Sequence, residues 1–244
     1  MLFKRIFVVA LFSLFALAGF GQGDQEENLY YLDVSVGYSV ALPPLSNGSA
    51  DPYSLKGTSG GSMSFSFNRK FGEQWGLQLE VLSTSFKVNK SDFLKADGIA
   101  PTNPRSISIS PYRSTFFGVG GVGFFPLGGF ILDIKGSVGL NMVDFAKQTY
   151  TIDVNQIASN VEVTSKRAYA PGMLLGGRLR YPLGQSIDVG VKLEYGISYA
   201  TFTDMTKQLT PIGSTPVNPS IEEIPTTTKT ISYVNAGITL GVKF

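Results

Sequence analysis

Apolar residues recur at every second position over long stretches of this chain. The clearest ribbon runs from Ile187 to Tyr199. Ile187, Val189, Val191, Leu193, Tyr195, Ile197 and Tyr199 fall on one face, and Asp188, Gly190, Lys192, Glu194, Gly196 and Ser198 on the other. Period two marks a β-strand whose faces meet different surroundings. Phe130 to Met142 repeats it, with Asp133, Lys135, Ser137, Gly139 and Asn141 on the polar face. So does Leu32 to Leu42, with Asp33, Ser35, Gly37, Ser39 and Ala41. Shorter ribbons set Met63, Phe65 and Phe67 against Ser62, Ser64, Ser66 and Asn68, then Trp75, Leu77, Leu79 and Val81 against Gly76, Gln78 and Glu80. Leu175, Leu179 and Tyr181 oppose Gly176, Arg178 and Arg180, and Val234 to Phe244 alternates against Asn235, Gly237, Thr239, Gly241 and Lys243. The stretch Ser106 to Phe125 supplies one more strand, but Phe116, Phe117, Val119, Val122, Phe124 and Phe125 occupy both parities. Its facing, and that of Arg113, stays open.

These ribbons predict eight strands, and their connections alternate in length. Short links fall near Lys70–Gln74, Pro126–Gly129 and Leu183–Ser186, each with a glycine suited to a tight turn. Long links fall near Pro43–Gly57, Asn89–Arg105, Lys147–Arg167 and Thr201–Thr228, and the Pro-rich Thr210 to Thr228 reads as mobile and solvated. Alternation alone also fits a soluble sandwich. The short–long rhythm does not, because only a barrel threaded through a membrane sorts its connections to two sides. Aromatics fall at both strand ends: Tyr30, Tyr31, Trp75, Phe124, Phe125, Phe130, Tyr181 and Phe244 near the short turns, and Tyr38, Phe86, Tyr112, Phe145, Tyr195, Tyr199 and Phe202 near the long links. Two such belts match interfacial girdles.

The N-terminus reads as an address. Lys4 and Arg5 precede the apolar run Ile6 to Phe15, and small residues follow at Ala16, Ala18, Gly19 and Gly21. That layout predicts a signal peptide over residues 1–21, cleaved after 18 or 21, with 22–28 a linker and 29–244 the barrel domain. The apolar run is too short for a spanning helix of about 20 residues. The 244 residues include no cysteine and no histidine, and the net charge is +2. Disulfides and thiolate metal sites are thereby excluded, the commonest general base is missing, and no concentrated basic face points to nucleic acid.

With the signal peptide, the rhythm of connections and the ending Ile238-Thr239-Leu240-Gly241-Val242-Lys243-Phe244, the chain resembles the small bacterial outer-membrane β-barrel family, porin-like relatives of the OmpA/OmpX type. The resemblance covers Leu29 to Phe244. It implies an all-β, eight-stranded antiparallel up-and-down barrel in the outer membrane, with short periplasmic turns and long extracellular loops. It also implies an assembly signal in Ile238, Leu240, Val242 and Phe244, read by the barrel-assembly machinery through β-augmentation. No peptidoglycan-binding domain follows the last strand, so the anchoring role of longer relatives is not implied.

The strand parity places Asp33, Glu80, Asp133, Asp188 and Glu194 inside the barrel with Lys135, Arg178, Arg180, Lys192 and Lys243. Acids and bases balance there, and buried charges must pair. Eight strands enclose a space that side chains just fill. The expectation is a plugged, charge-paired lumen in a monomeric, non-enzymatic protein that contacts outer-membrane lipid and meets an extracellular ligand or protein partner through its loops. A small passive pore or solute-uptake barrel is the alternative, and a lipid-modifying enzyme, lacking histidine, the third reading. No catalytic, cofactor-binding or metal-binding residue is expected. Asp188 and Glu194 lie too far apart along one face for paired acid chemistry, and Gly118-Val119-Gly120-Gly121 lacks the lysine and helix of a phosphate loop.

Overall fold

The computed structural model describes residues 30–45, 56–71, 73–89, 106–154, 157–213 and 218–244. The expected signal peptide and linker, and parts of the first and second long connections, lie outside them. Thirteen strands are described. Eight of these build the barrel: β1 (Tyr30–Ala41), β2 (Ser59–Phe71), β3 (Trp75–Phe86), β5 (Tyr112–Leu127), β6 (Phe130–Asp144), β9 (Ala168–Pro182), β10 (Ile187–Phe202) and β13 (Thr227–Lys243). They close antiparallel in the order β1-β13-β10-β9-β6-β5-β3-β2. The β1–β13 seam runs in register from Tyr31 opposite Lys243 to Ala41 opposite Tyr233. Below it, Tyr30 and Phe244 exchange backbone hydrogen bonds of 3.0 and 3.1 Å. A closed barrel leaves no strand edge unpaired, the condition for crossing hydrocarbon with strands.

The wall is inverted relative to a soluble barrel. Val36, Val138, Leu193 and Ile238 point outward with 60%, 61%, 60% and 66% exposure, while Asp33, Asp133, Asp188 and Glu194 are buried inside. Apolar outside and charged inside is the arrangement of a wall made for lipid. It removes the sandwich that periodicity alone allowed. Short turns join β2 to β3, β5 to β6 and β9 to β10 at one end. Gly128 (φ 60°) and Gly184 (φ 113°) adopt left-handed backbone in two of them, a region that glycine enters without strain. The closed wall should resist mild detergent until heated, so unboiled and boiled samples should migrate differently on a gel. Identical migration would contradict closure.

Three expectations are corrected. The stretch Ser106 to Phe125 is not one strand. Its start, Ser106–Ile109, is β4 and lies outside the barrel, while the barrel strand begins at Tyr112. On β5 the even positions Tyr112, Phe116, Val122 and Phe124 are buried inward, and Phe117 and Val119 are exposed outward with Arg113. Apolar residues take both parities because the lumen is apolar at its two ends.

The long connections are not plain loops. They contribute β4, β7 (Gln148–Val154), β8 (Ile157–Thr164), β11 (Met205–Pro211) and β12 (Ser220–Ile224), paired in the order β12-β11-β8-β7-β4. The reading of Thr210 to Thr228 as mobile fails for Ser220–Ile224, which pairs with β11. Tyr150, Val161, Val163, Met205 and Ile224 face inward from this sheet and join one apolar cluster with Leu82, Phe86, Tyr112, Phe116 and Ile231 of the barrel. Short strands dense in Ser, Thr and Asn concealed the alternation.

The belts are only partly girdles. Trp75 packs edge-on against Phe125 (6.3 Å) and Phe130 against Tyr181 (5.3 Å) at the short-turn end. Tyr38 and Tyr199 are exposed toward the other end. Tyr31 and Phe124, however, stack on each other at 5.4 Å inside the lumen, and Phe86, Tyr112, Phe145 and Phe202 are buried beneath the outer sheet. Spacing along a strand gives height in the membrane, whereas parity decides inside from outside.

Candidate functional site: a charge-packed lumen

All ten charged residues expected inside the barrel lie there, joined by ion pairs in two groups. The lower group centres on Asp133 of β6. Arg178, opposite it in register on β9, donates from Nε at 2.7 Å and brings Nη2 to 2.6 Å. Its Nη1 reaches Asp33 of β1, a strand not adjacent to β9, so one guanidinium ties two walls across the lumen. Arg180 approaches Asp133 at 3.1 Å and donates to Asp188 at 2.8 Å, and the Lys243 ammonium stands 3.6 Å from Asp188. Asn68 donates to Asp33 at 2.7 Å. Beneath, the Arg180 guanidinium lies over the Tyr31 ring at 4.7 Å and the Phe124 ring at 5.5 Å. A cation over an aromatic face is attracted by the ring quadrupole, so the floor of the lumen is apolar and still compatible with the charge above it.

The upper group is a four-membered ring of alternating sign. Lys135 bridges Glu80 (2.9 Å) and Glu194, and Lys192 bridges Glu194 (2.9 Å) and Glu80 (4.0 Å). Gln78 donates to Glu80 at 2.6 Å, Asn235 to Glu194 at 2.8 Å, and the Lys192 ammonium to Ser64 at 2.6 Å. Above the ring, Ser114 donates to Asn141 at 2.7 Å and Asn141 to Ser198 at 2.6 Å. Glycine makes room for this crowding. A Cβ on Gly176, which stands opposite both Lys135 and Glu194, would meet Glu194 Cγ at 2.8 Å. On β5, Gly118 stands opposite Glu80, and Gly120 stands between Gln78 and Ser137.

Burying charge is costly unless each ion is paired and its remaining hydrogen-bonding capacity met. The neutral partners Ser64, Asn68, Gln78 and Asn235 do part of that work, while Asp188 Oδ1 and Gln78 Oε1 stay buried without a hydrogen-bond partner among the described residues. Sequence reasoning placed these neutral partners on the inward parity but not in the network, because a polar residue facing a lumen looks the same whether or not it touches an ion. The void between the two groups, lined by Asp33, Asp133 and Arg178 below and Lys135 and Lys192 above, measures about 10 Å³, room for one water at most. Above it the apolar cluster shared with the outer sheet closes the long-connection end, where Phe145 and Phe202 pack at 5.3 Å.

The arrangement offers cohesion across the lumen. Asp188 and Glu194 sit in different groups, each held by cations. Among the described residues no cluster of three or more acidic side chains is arranged to hold a metal ion. Gly118 to Gly121 lie within β5. Ile238 and Leu240 point outward and are exposed, while Phe244 stacks on Tyr30 at 5.9 Å beside the seam.

No protein-family model matches the chain, and neither does any curated protein. Among solved structures it is similar to a major outer membrane protein from Thermus thermophilus, at 14% identity over 88% of this chain and 99% of that one, TM-score 0.49. It is similar to the outer membrane protein OprG from Pseudomonas aeruginosa, at 12% identity over 91% and 99%, TM-score 0.43. Neisserial surface protein A is similar at 14% identity over 88% and 97%, TM-score 0.40. The protein's class, a closed eight-stranded antiparallel β-barrel, rests on the pairing of its own strands.

Proposed function

We propose that the protein is a non-enzymatic barrel of the outer membrane whose lumen is a plug, and that its work is structural or a surface interaction, done by the long connections. The observation that carries this reading is the lumen itself: two ion-pair groups filling the cross-section around a void of about 10 Å³. The apolar wall sets it in a membrane, and the strand ending at Lys243, with Ile238, Leu240, Val242 and Phe244 on one face, supplies the segment handed to the barrel-assembly machinery. The sheet built from β4, β7, β8, β11 and β12 favours the surface role, because it gives the extracellular end a fixed face on which a partner can dock. A monomer is the reading adopted for its assembly, supported by a barrel that offers no free strand edge to a second copy.

Liposomes containing the purified barrel and diluted into isosmotic sugar should swell no faster than empty liposomes. Swelling that falls with solute size would support the small-pore alternative and overturn the plug.

A further inference from the structure

The outer wall of β2, β3, β5 and β6 carries a graded surface that the lumen does not explain. At its long-connection rim, Lys87 follows the end of β3 and Arg113 stands near the start of β5, both exposed. Ser85 is directly opposite Arg113, which sets Lys87 on the diagonal, about 7–8 Å away at the backbone. Neither cationic side chain has a partner among the described residues. Asp144, the carboxylate opposite Arg113 in register, is already held by Arg167 through contacts of 2.6 and 3.2 Å.

Below the cations comes a hydroxyl step, where Ser83 and Thr115 stand 3.5 Å apart. Below that, about 13 Å along the strand from Arg113, an apolar groove of about 600 Å³ opens between Phe65, Leu79, Val81, Phe117, Val119 and Val138. Cation, hydroxyl and hydrocarbon thus follow one another down a single wall. Two cations without a partner among the described residues, set at a membrane surface, attract anionic head groups.

We propose that this wall seats one membrane lipid with a phosphate-bearing head: the phosphate at Lys87 and Arg113, the polar linkage beside Ser85, Ser83 and Thr115, and an acyl chain in the groove. This rests on the reading of the protein as a membrane barrel. The test is native mass spectrometry of the intact protein in mild detergent, offered phosphatidylglycerol or phosphatidylcholine of the same chain length. Phosphatidylglycerol should be retained about tenfold more strongly, as expected of charge complementarity. Replacing both cations, Lys87→Ala with Arg113→Ala, should lower its retention about thirtyfold, the fold-change of two lost basic contacts. Val119→Trp, which fills the groove, should weaken both lipids alike. Equal retention of the two lipids by the unaltered protein would overturn the proposal and leave only a nonspecific lipid annulus. Displacement of bound phosphatidylglycerol by millimolar inorganic phosphate would also overturn it, in favour of a simple anion site. Heat-modifiable migration of each sample separates the outcomes: failure of lipid preference with migration intact refutes the lipid seat alone, whereas loss of migration in the unaltered protein refutes the barrel.

Discussion

Arg178→Ala should lower the stability of the folded barrel by about 3–5 kcal/mol, because it strips the shared cation from two buried carboxylates at once. Asp133 keeps Arg180, but Asp33 is left with only the neutral Asn68 and Ser66 in reach. Arg178→Lys should cost less, since it keeps the charge and loses the planar fork that spans β1 and β6. The chain has one tryptophan, Trp75, on the outer wall near the short turns. Its fluorescence therefore follows barrel unfolding in urea from lipid vesicles. A loss below about 1 kcal/mol, the range of exposed ion pairs, would mean that water reaches the lower group freely and that the lumen is not packed.

Phe202→Ala should have an effect of similar size, about 3–5 kcal/mol for a buried aromatic deleted from a close-packed site, with a different signature. Phe202 is fully buried at the end of β10 and packs on Phe145, which packs in turn on Tyr112 at 5.9 Å. These rings anchor the outer sheet to the barrel mouth. Deletion should release the β11–β12 hairpin to added protease while the barrel keeps its heat-modifiable migration. A cleavage pattern unchanged from the unaltered protein would contradict a sheet that caps the mouth through this contact.

Much of the barrel was legible because a membrane wall imposes a strict rule. Lipid outside and charge inside force period two on Leu32 to Leu42, Phe130 to Met142 and Ile187 to Tyr199, and parity alone then put Asp133 and Arg178 on the same side of neighbouring strands. What parity does not carry is distance across the lumen. That Arg178 reaches Asp33, or that Lys135 and Lys192 alternate with Glu80 and Glu194 in a ring, depends on closure and register. The outer sheet was hidden for another reason. Its strands run five to eight residues, apart from the four of β4, and their outward faces hold Thr149, Thr151, Asn160 and Thr164, which look like loop. Their inward residues are sparse and find an apolar partner only in the barrel mouth. Tyr112 and Phe124 misled for the same physical reason: the lumen is polar in the middle and apolar at both ends.

The plug itself is tested most directly by single-channel recording in planar bilayers at neutral pH. The barrel should give no steady openings, and the Arg178→Ala form should give at most brief, irregular ones as water enters beside Asp33. Steady nanosiemens-scale openings from the unaltered protein would contradict a lumen closed by its own ion pairs.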